Sequence, residues 1–107
     1  MKLLVDNGLL YANNVLCCRA EVKDGNPDQP GRSAITPQFS HHHHGRDLLL
    51  VDGLGWLGAD DACAIVVGRV VDGTGALLPC RIAETRLMNL INAVTDRGET
   101  ATLEIKP

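Results

Sequence analysis

Four consecutive histidines, His41-His42-His43-His44, form the densest group of direct ligand donors in this 107-residue chain. In extended backbone, alternate side chains point the same way. His41 with His43, or His42 with His44, can then chelate Zn²⁺ or Ni²⁺ through neutral imidazole nitrogens. A resident metal also needs fixed geometry and outer groups that orient the rings. Ser40 before the tract and Gly45-Arg46 after it promise little rigidity, so a solvated loop is the competing expectation.

Gly53-Leu54-Gly55-Trp56-Leu57-Gly58 has the spacing G-x-G-x-x-G and follows the apolar run Leu48 to Val51; Asp72 comes soon after it. This stretch resembles the Rossmann dinucleotide fingerprint. The resemblance implies that Gly53, Gly55 and Gly58 admit a pyrophosphate to a helix N-terminus and that Asp72 takes a ribose hydroxyl. That needs a helix directly after Gly58. Ile65-Val66-Val67 favours a strand instead, and Asp60-Asp61 would set two carboxylates beside an anion. A helix over residues 59 to 69 means a nucleotide or small-molecule site; a strand means a Gly-rich turn.

Trp56 is the only tryptophan, flanked by Leu54 and Leu57. A large apolar side chain in such a loop either caps its own core or, with Leu54 and Leu57, anchors a partner. The four cysteines, Cys17, Cys18, Cys63 and Cys80, show no C-x-x-C spacing and are expected as reduced thiols. Strand alternation puts Cys18 inside and Cys17, with Arg19, on the wetter side. No orienting acid or oxyanion donor can be named, so no catalytic constellation emerges. Asp24, Asn26 and Asp28 match the first ligands of an EF-hand loop, but Gln29 and Ile35 stand where Gly and Glu are required. Asp52, Asp60 and Asp61 are carboxylates of turns and strand entries. Glu84 and Glu104 fall on the solvent side by periodicity.

The elements that must position these residues follow from pattern. Hydrophobic residues make up 45% of the chain but aromatics only 3%, so the core is aliphatic. Residues 2 to 5 and 8 to 11 predict a hairpin around Asn7-Gly8. Val15 to Val22 alternates, with Leu16, Cys18, Ala20 and Val22 inward. Residues 23 to 46 read as a long mobile loop, with a short edge strand from Ser33 to Phe39 broken by Pro37. Ala62 to Val71 predicts a central strand, and Ala76 to Ile82 an edge strand after the Asp72-Gly73 turn. Glu84 to Arg97 predicts a helix with Leu87, Leu90, Ile91 and Val94 on one stripe, stopped by Gly98. Thr100 to Lys106 alternates as a final strand, with Ala101, Leu103 and Ile105 inward.

The expected fold is therefore one α+β domain, an antiparallel or mixed sheet of about five or six strands with the helix across a face. The alternative is a small curled β-barrel plugged by the helix. Net charge of −3 without a basic cluster disfavours nucleic acid. Asp6-Asn7-Gly8 interrupts the apolar start, and no run is long enough to span a bilayer, so a cytoplasmic protein that avoids membranes is expected. Without a constellation for catalysis, the expected function is a non-enzymatic binding module, homo-oligomeric or paired with another protein. It would work through the Trp56 loop or a strand edge left open.

Overall fold

A computed structural model describes residues 1–23, 32–41, 45–70 and 77–106. Among the described residues there are nine strands and one helix. The strands are β1 (Lys2–Asp6), β2 (Leu9–Ala12), β3 (Val15–Val22), β4 (Ser33–Ser40), β5 (Arg46–Val51), β6 (Gly55–Gly58), β7 (Ile65–Val70), β8 (Leu77–Pro79) and β9 (Ala101–Ile105). The helix, α1, runs Arg81–Asp96 between β8 and β9.

Two tight turns start the sheet. Asn7 and Gly8 (φ 53° and 77°) join β1 to β2, and Asn13 and Asn14 (φ 48° and 69°) join β2 to β3. Two left-handed residues in a two-residue loop match the right-handed twist of the flanking strands. The sheet then continues β1-β9-β4-β5-β6-β7, and β3 pairs with β7, closing an eight-strand ring. This is the barrel alternative; five or six strands was too few. The unforeseen strand is β6, where a Gly-rich turn was expected, and Ser33–Ser40 is a full strand paired to both β5 and β9, not a short edge strand in a loop. Pro37 is tolerated because β9 reaches only Ser33 to Ile35, so at Pro37 one edge of β4 carries no ladder.

Opposed residues trace the core around the ring. Leu103 faces Leu3, which faces Ala12; Val5 faces Leu10; Ala20 faces Val67; Ile65 faces Leu57, which faces Leu49; Val51 faces Ile35, which faces Ala101. All are buried, and Ala83, Leu87 and Ile91 of α1 join the same cluster. The helix thus lays its apolar face onto the side chains of the barrel interior. A smaller cluster of Leu48, Cys63 and Val66, with Trp56 and Leu77 against it, packs separately.

The helix stripe differs from expectation in two respects, at Glu84 and at Leu90. Ala83, Glu84, Leu87, Ile91 and Val94 are buried, whereas Leu90 is 37% exposed. Gly98 (φ 78°) ends the helix as expected.

Strand β7 is shared unusually. Gly68 lies opposite both Arg19 of β3 and Pro79 of β8, so those strands occupy opposite edges. Strand β8 therefore shares one edge of β7 with β6, which pairs only at Ile65 and Val66.

Candidate functional site

The ladder between β3 and β7 runs from Val22–Ile65 to Arg19–Gly68 and stops. Beyond it the two strands part. Val15 to Cys18 keep β2 on one edge and, among the described residues, have no ladder partner on the other. The first turns of α1 lie beside this split. Two adjoining hollows of about 450 and 430 Å³ open there, and both are lined by Leu16, Cys17, Ala83 and Arg86.

A register shift explains why apolar side chains are exposed at the split. Leu10 faces Cys18 but Tyr11 faces Leu16, so Cys17 is an extra residue in β3. Such a bulge reverses the in–out alternation beyond it. Leu16, expected inside, is consequently 56% exposed, and Cys17 packs against the core. Ile82 (66% exposed) and Leu90 present further apolar surface from α1. Large exposed side chains gathered beside an open strand edge are an unusual surface for a folded chain.

The same place is cationic. Arg19, Arg69 and Arg86 line the larger hollow, and none forms an ion pair among the described residues. Three thiols stand with them: Cys17, Cys18 and Cys80. Burial, and next the neighbouring Cys17 and Cys80, push the Cys18 pKa up to about 11. The Cys80 pKa is lowered by the N–H groups of Ala83 and Ile82; partial burial opposes this, and Arg69 and Arg86 add to it.

The positions singled out in the sequence lie elsewhere. Leu57 is fully buried in the barrel and offers no surface to a partner. Trp56, half-buried on β6, packs against the cluster of Leu48, Cys63 and Val66, while Leu54 is partly buried against the main core. Trp56 therefore completes a core. Gly53 (φ 78°) and Gly55 (φ 127°) shape the turn from β5 to β6. Residues 65 to 70 are strand, so the Gly53 to Gly58 run leads into no helix N-terminus of the kind the fingerprint requires; Asp72 lies outside the described residues. His41 is exposed and sits edge-to-face on Phe39, ring centroids 4.8 Å apart. His42, His43 and His44 lie outside the described residues, and among those described no group of three or more His, Cys, Asp or Glu side chains could hold a metal.

Glu84 is the main correction among the charged residues. It is 8% exposed, not solvated. Its carboxylate accepts hydrogen bonds from Arg46 and, at 2.9 Å, from the Ala59 N–H; Arg81 stands 3.9 Å away. Asp60 reaches the same Arg46 at 3.8 Å and accepts from the Ala62 N–H, and Asp61 pairs with Lys23 at 3.3 Å. Gly58 makes room for this group. A Cβ there would meet Glu84 Oε1 at 2.7 Å and Leu48 Cδ2 at 2.8 Å. Arg46 and Glu84 form a buried clamp that ties the start of α1 to β5 and the β6–β7 loop.

The split between β3 and β7 is thus the candidate site, and Leu16, Arg19, Arg69, Cys80, Ile82 and Arg86 are its residues. Sequence alone drew notice to Leu16, Cys17, Cys18, Arg19 and Cys80 of its lining, but not to Arg69, Ile82 or Arg86, and nothing in it brought them together. No known protein-family model matches the chain, nor does any curated protein or solved structure.

Proposed function

We propose that this chain is a binding module that captures an extended peptide segment of alternating apolar and acidic residues along the free edge of β3. The carrying observation is the end of the β3–β7 ladder at Arg19–Gly68, with Val15 to Cys18 unpaired on that side among the described residues. An added strand would satisfy those backbone groups. Its apolar side chains would lie against Leu16, Ile82 and Leu90, and its carboxylates against Arg19, Arg69 and Arg86. Guanidinium groups without ion-pair partners among the described residues favour carboxylates by bidentate hydrogen bonding. Self-pairing across a two-fold axis is less well supported, because it brings each copy's arginines toward those of the other.

Selection from randomised nonapeptides, followed by fluorescence anisotropy of the enriched sequences, tests the proposal. Alternating apolar and Asp/Glu residues should be enriched. Binding should fall at least tenfold in a Leu16→Glu/Ile82→Glu variant, whose fold, read by circular dichroism, should be unchanged because both side chains are more than half exposed. Enriched peptides that bind this variant undiminished would refute it. So would a concentration-dependent dimer that the same substitutions dissolve, since the edge would then belong to a second copy.

A further inference from the structure

Cys80 is held on both sides by backbone. Its N–H donates to the Val67 carbonyl and its carbonyl accepts from the Glu84 N–H, both at 3.2 Å. It is the N-cap of α1 in extended conformation (φ −132°, ψ 114°), and no side-chain hydrogen bond caps the helix there. The sulfur stands beside the first-turn N–H groups of Ile82 and Ala83, which favour its charged form. The side chain is half-buried and lines the larger hollow at the β3–β7 split.

Three features of that hollow act on a thiol together. The first-turn amides of α1 stabilise negative charge at its N-terminus. Arg19, Arg69 and Arg86 ring the same space without ion-pair partners among the described residues, in a chain whose net charge is −3. Leu16 and Ile82 give it an apolar wall. A small molecule that fits must bring carboxylates for the arginines and carbon for the wall. Cys18 shares the hollow, but burial pushes its pKa up to about 11, whereas the N–H groups of Ala83 and Ile82 lower that of Cys80.

We infer that Cys80 is a site of mixed-disulfide formation with small disulfides that carry carboxylates. The Cys80 thiolate attacks one sulfur of the incoming disulfide. A new S–S bond forms between Cys80 and that half, the original S–S bond breaks, and the other half departs with the electron pair as a thiolate that takes a proton from water. Cys80 is oxidised, the departing half is reduced, and the incoming disulfide is the only oxidant required. The inference does not depend on peptide capture.

The test compares two disulfides of opposite charge on the full chain: glutathione disulfide, rich in carboxylates, and cystamine, a dication. Intact mass and peptide mapping at pH 7 follow the adducts. One glutathione should appear on Cys80 first, forming about tenfold faster than the cystamine adduct, because a cationic cleft raises the local concentration of an anion. Arg69→Gln/Arg86→Gln should erase that preference while leaving the fold, read by circular dichroism, unchanged. Cys17→Ser should leave the Cys80 adduct intact. First modification at Cys17 or Cys63, equal rates for the two reagents, or a loss of two hydrogens marking an internal disulfide would each overturn the inference. Peptide mapping on the unaltered chain distinguishes these outcomes even if a variant fails to fold.

Discussion

Replacing Arg46 and Glu84 by apolar residues, singly and together, would measure how the helix is fastened to the barrel. The two side chains are mostly buried, at 18% and 10% exposed, and pair directly. In Glu84→Leu the guanidinium keeps only Asp60, 3.8 Å away, and the Ala59 N–H loses its acceptor. We expect a loss of about 3 kcal/mol, the low end for breaking a buried pair. In Arg46→Met the carboxylate keeps the Ala59 N–H and the nearby, more exposed Arg81, so the loss is smaller, about 2 kcal/mol. In the double variant no unpaired charge of the pair remains, and only the Ala59 amide and Asp60 go short, for about 2 kcal/mol. The coupling energy is then about 3 kcal/mol. Urea unfolding reads these values directly: with a slope of about 1.5 kcal/mol/M, Glu84→Leu moves the midpoint down by about 2 M, and adding Arg46→Met raises it again. A double variant less stable than either single one, with losses that simply add, would refute the clamp.

Other outcomes follow from the same geometry. Gly68→Ala should cost more than about 3 kcal/mol or detach β8, because a Cβ would stand 2.1 Å from the Leu78 carbonyl oxygen, and backbone cannot swing aside; hydrogen exchange at residues 77 to 79 separates the two results, and full stability would contradict the close crossing. Alkaline pH should destabilise the fold through its buried thiols. Cys63 is raised from 9.0 to about 11 by burial, then by Asp60 and Glu84, and Cys18 is raised to a similar value. Such groups bind protons more tightly when folded, so their contribution is complete below pH 9 and is lost as the pH climbs toward 11. Chemical unfolding at pH 8 and pH 10.5 checks this, and Cys63→Ala should show a smaller decline; an equal one would remove Cys63 as a cause.

Parts of this molecule are legible in the sequence because a local pattern settles them. Asn7-Gly8 specifies its own turn, Gly98 its own helix stop, and the alternation from Ala101 to Leu103 its own inward face. Other parts depend on distant partners. Leu16 alternates with Cys18 and Ala20, yet the extra residue at Cys17 turns it outward, and nothing local marks that bulge. Glu84 counts as polar in any periodicity, and only Gly58 and Arg46, far away in the chain, make its burial possible. The candidate site is least legible of all. Its residues are scattered from position 16 to position 86, and closure of the ring assembles them. The Gly53 to Gly58 spacing misleads for the opposite reason: it is conspicuous, but the β-branched residues after it decide the conformation.

The position of β9 bears on how the molecule reaches its final form. It runs parallel to β1 and also borders β4, so the segment made after all the other strands is the one inserted between the first and the fourth. Until Ala101–Ile105 arrives, the circle has a gap one strand wide, and Leu3 and Ile35 each lack a neighbour. Joining such widely separated stretches is slow, since loop entropy is lost before any contact compensates. A chain still being synthesised would therefore hold two exposed, aggregation-prone borders until its closing residues emerge.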